Sequence, residues 1–188
     1  MALNMRDPLN RRSFLSLALA GAAAIASNNA HAGVAAMYDY GPAPELTGIE
    51  AWLNSEALSI EGLRGKVVLI DFWTYSCINC LRTLPYVARW HDRFRERGLV
   101  VIGVHTPEFG FEKPTRNVRT AMTRHGVKYP VAQDNRYATW NAYENQYWPA
   151  VYLIDRRGHV MLKHAGEGAY DDIERAIEIL LRDNKEGT

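Results

Sequence analysis

Val67-Val68-Leu69-Ile70-Asp71-Phe72-Trp73-Thr74-Tyr75-Ser76-Cys77-Ile78-Asn79-Cys80 holds the only two cysteines of this chain, three positions apart and close behind an apolar run. Two cysteines so spaced can close a disulfide only where the backbone between them turns, and the first turn of a helix supplies that turn. Val67 to Ile70 reads as a fully buried strand. Leu81, Leu84, Val87, Ala88 and His91 then fall at helical spacing, so the pair lies where a strand hands over to a helix. At a helix N-terminus, free backbone N–H groups and the positive end of the macrodipole favour a thiolate. Cys77 is therefore expected to be more acidic than a free thiol, whose pKa is about 8.5. Cys80, one turn inside, is expected to be more buried and less acidic. That asymmetry assigns attack on a partner's sulfur to Cys77 and resolution of the mixed disulfide to Cys80.

The start of the chain reads as an export signal of the twin-arginine type. Asn10-Arg11-Arg12-Ser13-Phe14-Leu15 is followed by a weakly apolar stretch from Phe14 to Ala26, and Ala30-His31-Ala32 supplies a small-x-small cleavage site ahead of Gly33. The competing reading, an uncleaved anchor, needs about 20 apolar helical residues to span a bilayer, more than this stretch offers. No cysteine lies near the cleavage site to carry a lipid. The expected destination is the periplasm or another extracytoplasmic space.

Losing residues 1–32 removes Arg6, Arg11, Arg12 and Asp7, taking the formal charge from +1 to about −1. A near-neutral chain argues against nucleic acid as a partner. Residues 33–188 are enough for one domain that buries its core without disulfide staples. Closing so short a loop adds little chain-entropy stabilisation, so chemistry explains the cysteines better than stapling.

Residues 33–44 read as a flexible lead-in, and 45–53 as a short helical or irregular segment. The helix from Cys77 to about Arg97 contains Pro85, which removes a hydrogen bond and is expected to kink it. Leu99 to Val104 is a second buried strand. Lys113 to His125 is an amphipathic helix stopped by Gly126. Another short helix is expected from about Arg136 to Glu144. Ala150 to Ile154, the turn Asp155-Arg156-Arg157-Gly158 and His159 to His164 form a β-hairpin, and Asp171 to Arg182 closes the chain as a helix. The implied class is α/β, a central mixed β-sheet flanked by α-helices with a C-terminal hairpin and helix. Chemistry in such sheets gathers at the carboxyl ends of parallel strands, where Cys77 and the loop His105 to Glu108 would lie.

With these parts in order, the chain resembles the thioredoxin superfamily over essentially all of residues 33–188. Within it the likeness is to the exported TlpA-like reductases, and more to the thioredoxin-like domain of DipZ-type proteins. It is carried by Phe72-Trp73-Thr74-Tyr75-Ser76-Cys77-Ile78-Asn79-Cys80, Gly103-Val104-His105-Thr106-Pro107-Glu108, Tyr147-Trp148-Pro149, and Pro85 five residues after the second cysteine. The resemblance implies the thioredoxin fold and a thiol-disulfide oxidoreductase. It implies a cis bond at Trp148-Pro149 facing the disulfide, against the alternative of a trans strand-entry proline. A buried cis bond there would expose the Trp148 backbone to an extended substrate.

Asp71 ends the buried strand in this reading and stands where the family has a carboxylate that takes the proton of the second cysteine. Burial would fit it for that task, and the plainer alternative is an Asp meeting solvent at a strand end. Glu108 could tune Cys80 or a water, and it and His105 could equally sit in a solvated loop. Trp148 and Tyr75 have a positional argument for lining the substrate groove. Trp52, Trp73, Trp90, Trp140, Tyr143 and Tyr147 read as packing residues.

Ser76 stands where an aromatic residue usually precedes the first cysteine, and Ile78-Asn79 replaces Gly-Pro between the two. The change in the dipeptide alters how well the Cys77 thiolate is stabilised, and hence the reduction potential. The expected partners are substrate proteins with disulfides and a membrane electron donor of the CcdA or DsbD type, and no cofactor beyond the Cys77–Cys80 disulfide is implied. A monomer is the simplest expectation. Two other functions compete. Thr74-Tyr75-Ser76-Cys77 mimics the T-x-x-C of thiol peroxidases. Cys77, Cys80, His159 and His164 could form a non-enzymatic metal-binding module, although residues five apart on a straight strand face opposite ways.

Overall fold

The strand ahead of the cysteines is longer than its aliphatic run. It spans Val67–Trp73, with all seven residues buried. Asp71 is therefore inside the strand, not at its end, because the ladder continues past it: Phe72 pairs with Val104 and Ala150, and Trp73 with His105. The computed structural model describes residues 37–183, so the export signal and the proposed cleavage site lie outside the described residues.

In chain order the elements are β1 (Ala51–Leu53), β2 (Val67–Trp73), α1 (Ile78–Phe94), β3 (Leu99–His105), α2 (Thr115–His125), β4 (Val131–Gln133), α3 (Ala138–Ala142), β5 (Ala150–Ile154), β6 (Val160–Ala165) and α4 (Tyr170–Arg182). Short 3-10 turns occupy Glu61–Leu63, Arg95–Arg97 and Gly110–Glu112. The six strands form one mixed sheet in the order β1-β4-β3-β2-β5-β6. β2, β3 and β4 run parallel, whereas β1, β5 and β6 pair antiparallel to their neighbours.

Helices cover both faces, which is why the central strands are apolar throughout instead of alternating. Alternation along β2 still decides which helix each residue meets. Val67, Leu69 and Trp73 pack with Cys80, Leu84, Val87 and Trp90 of α1 and with the buried side of α4. Val68, Ile70 and Phe72 pack on the other face with Trp140 and Tyr143. Asp71 shares the parity of Leu69 and Trp73, so it points beneath α1.

Two stretches differ from the sequence expectation. The segment read as helical or irregular over 45–53 ends in β1, whose three residues pair with Val131 to Gln133 of β4. The reason is non-local, because a three-residue strand carries too little periodicity to announce itself. The lead-in expected to be flexible over 33–44 is fastened from Tyr40 to Ala43. Tyr40 N–H donates to Val160 O at 2.9 Å, Ala43 N–H to Gly158 O at 2.8 Å, and Val160 N–H to Gly41 O at 2.9 Å. α1 runs through Pro85 as one helix, and α2 stops at Gly126, which adopts φ 68° as a helix-ending glycine must.

Candidate active site

Trp73, the last residue of β2, is followed by Thr74 to Ser76, and Cys77 is the N-cap of α1 with an extended backbone. Its sulfur accepts the Cys80 N–H at 3.2 Å. Both cysteines are free thiols. Cys77 is half-buried and Cys80 fully buried. A hydrogen bond from the Cys80 thiol, aided by the N–H groups of Cys80 and Asn79 and opposed by burial, lowers the pKa of Cys77 to about 7. Burial, then the hydrogen bond to Cys77, pushes the Cys80 thiol far up.

Asp71 lies beneath the pair and is 1% exposed. Burial, reinforced by the neighbouring Cys77, raises its carboxyl to about 7. The Trp148–Pro149 peptide bond is cis. Trp148 is half-buried, tilted by 36° against Trp140 with ring centres 4.1 Å apart, and its indole N–H donates to Thr106 O at 3.0 Å.

Glu108 is exposed, and the buried carboxylate of its loop is Glu112, four residues on. Glu112 Oε1 accepts from the Thr74 hydroxyl, from the Ser76 hydroxyl at 2.6 Å and from Ser76 N–H at 3.2 Å. Its Oε2 accepts the N–H groups of Glu108 at 2.6 Å and Phe109 at 2.8 Å. Burial opposes ionisation of Glu112, but these bonds from Ser76, Thr74, Phe109 and Glu108 outweigh it and hold its pKa below the ordinary value. The sequence reading missed this residue. The one available signal was Glu three positions after the residue that opens the 3-10 turn, the spacing of a capping box without its Ser or Thr.

His105 closes β3 and is buried, not solvated. It lies 3.4 Å from the Thr74 hydroxyl, edge-on to Trp73 and stacked beneath Tyr75. Burial lowers its pKa to about 4, so it is neutral at neutral pH. The Tyr75 hydroxyl donates to Phe111 O at 2.7 Å. Tyr147, expected to be a packing residue, is instead 57% exposed. His159 is held by Asp39 at 3.0 Å. Among the described residues no group of three or more His, Cys, Asp or Glu is arranged to hold a metal ion.

A sulfur at a helix N-cap, its buried partner and a buried carboxylate thus meet at the carboxyl end of β2. A model of the AhpC/TSA family matches residues 41–163. The chain belongs to the AhpC/TSA family. Within the AhpC/TSA family it is a thioredoxin-superfamily chain of the thiol-disulfide oxidoreductase kind, as its relatives show. It is 31% identical to the thiol-disulfide oxidoreductase YkuV of Bacillus subtilis over 77% of this chain and 97% of that one. It is 49% identical to the protein DipZ of Mycobacterium bovis over 85% of this chain, and spans only 24% of DipZ. Among solved structures, a thioredoxin-like protein in its oxidized form superposes with a TM-score of 0.69 at 32% identity, covering 77% of this chain and 97% of that one.

Proposed function

We propose that this chain is an exported reductant of substrate protein disulfides. The Cys77 thiolate attacks one sulfur of the substrate disulfide, forming a mixed disulfide and releasing the other substrate sulfur as a thiolate. Cys80 gives its proton to the Asp71 carboxylate and attacks the Cys77 sulfur. The Cys77–Cys80 disulfide forms, the second substrate thiolate leaves, and two electrons have passed to the substrate. A membrane thiol carrier of the CcdA or DsbD type restores the dithiol.

The observation that carries this reading is the difference between the two thiols: one half-buried and acidic, the other fully buried beside a carboxyl poised near 7. Trp148, the cis Pro149 and Tyr75 border the same end of the sheet and would receive an extended segment of the substrate. The Glu108 charge near Cys77 disfavours its thiolate. A peroxidase would ask the Thr74 hydroxyl to serve the Cys77 sulfur, whereas it donates to Glu112.

Cys77→Ser is expected to abolish reduction of a disulfide substrate and Cys80→Ser to accumulate mixed disulfides. Turnover by the Cys77 variant would end the proposal. Equilibration against thiol buffers tests direction: a potential near or below about −220 mV fits a reductant, and one near about −120 mV an oxidant.

A further inference from the structure

Polar atoms without partners collect on the inner side of β2. Both carboxylate oxygens of Asp71, the Trp73 indole N–H, the Tyr129 hydroxyl and His91 Nδ1 are buried, and none has a hydrogen-bond partner among the described residues. Such groups in a folded protein are normally satisfied, commonly by a bound water that makes about three bonds. The geometry brings them together around Gly103, which pairs with Asp71 across the β2–β3 ladder. A Cβ there would lie 2.9 Å from Trp73 Nε1 and 3.0 Å from Tyr129 Cε2, so the missing side chain is what lets both rings close over this position. The Tyr129 ring continues outward to His91, with ring centres 5.9 Å apart.

We propose that the Tyr129 hydroxyl is joined to the Asp71 carboxyl through a bound water, making Tyr129 a positioning residue for the resolving step. The donor set fits one water. Tyr129 and Trp73 offer hydrogens, the carboxylate only accepts, and a water accepts from the first two and donates to the third. Tyr129 keeps its proton throughout, since burial and then the Asp71 charge raise its pKa well above 10. It stabilises the Asp71 carboxylate that receives the Cys80 proton, and the proton stops on Asp71. The groups facing Asp71 are Cys77 and Cys80 from α1, Gly103 from β3, Val151 from β5, and Tyr129, with His91 of α1 beyond it. The buried side of α4 is apolar: Ile173, Ala176, Ile177, Leu180 and Leu181. The inference rests on the role given above to Asp71.

The test is the pH profile of the resolving step, read as release of thionitrobenzoate from its mixed disulfide with Cys77. Tyr129→Phe is expected to raise the apparent pKa of that profile by roughly one unit and slow release about tenfold below it, the effect of one hydrogen bond to a charged group. Tyr143→Phe is the control. Its hydroxyl also lacks a partner among the described residues but belongs to the opposite face of the sheet, so its profile is expected to match the parent. In an Asp71→Asn background Tyr129→Phe is expected to add no further loss. Carbon NMR titration of the Asp71 carboxyl gives the same shift independently of rate, and thermal melting checks that the variant is folded. A Tyr129→Phe profile superimposing on the parent, or an equal loss persisting without Asp71, overturns the proposal. If Asp71→Asn alone leaves release unchanged, the role of Asp71 falls and this inference with it.

Discussion

Ser76 donates its hydroxyl to Glu112 at 2.6 Å, fastening the residue before the half-buried cysteine to the loop that follows β3. The same carboxylate takes the Thr74 hydroxyl and three backbone N–H groups, so one side chain sets the relative position of two loops at the sheet's active end.

Replacing Glu112 by Ala strands the buried Thr74 hydroxyl, and a buried donor without a partner costs about 1–3 kcal/mol, whereas Ser76, Glu108 and Phe109 are exposed and can turn to solvent. A loss of about 2 kcal/mol in urea unfolding is expected, with a smaller loss for Glu112→Gln. Because the folded pKa of Glu112 is depressed, its contribution is present above the unfolded value of about 4.3. It is lost as pH falls through the folded value.

Alkylation of the reduced protein by iodoacetamide is expected to follow a midpoint near pH 7 at Cys77, with Cys80 untouched. In Cys80→Ser the midpoint is expected to move, because the Cys80 thiol is the first cause of the Cys77 shift. An unchanged midpoint would assign the acidity to the helix N-terminus instead.

Asp71 has a folded pKa near 7 against about 3.9 unfolded, so the folded state holds its proton more tightly. Its stabilising contribution is fully present below about pH 4 and is lost as pH rises through 7, a swing on the order of 4 kcal/mol for about three units. Asp71→Asn removes that penalty. Chemical unfolding of the reduced variant at pH 8 is expected to show greater stability than the parent, with slower disulfide exchange.

Gly103→Ala places a methyl within 3.0 Å of two buried rings. Overpacking of this kind costs about 1–3 kcal/mol, read as a lower melting temperature. Gly126→Ala, at φ 68° with nothing within 4 Å of the added carbon, is expected to cost less, since only the left-handed backbone is strained.

Much of the architecture was legible in local pattern. β2, β3 and β5 are continuous apolar runs, α1 and α4 have apolar residues at helical spacing, and the hairpin announces itself through Asp155 to Gly158. β1 was not legible, because its pairing with β4 joins residues some eighty positions apart and three residues hold no period. Tyr40 to Ala43 read as loose for the same reason: their partners, Gly158 and Val160, are far along the chain.

The candidate site divides in the same way. Cys77 and Cys80 are adjacent on one helical turn, so spacing alone fixed their placement and its asymmetry, whereas the place of Asp71 inside β2 came from the continued pairing of Phe72 and Trp73. Between Glu108 and Glu112 the sequence could not choose. Both are acidic residues of one short aromatic loop, and only the turn at Gly110–Glu112 carries the second inward and leaves the first exposed. Tyr129 was likewise an unremarked residue before β4, brought beside Asp71 by the parallel pairing of three strands. The sequence by itself determined the chemistry that depends on neighbours along the chain. Tertiary structure alone decided which distant side chains share that buried space, because burial, and with it every shifted proton affinity here, is a property of the assembled sheet and helices.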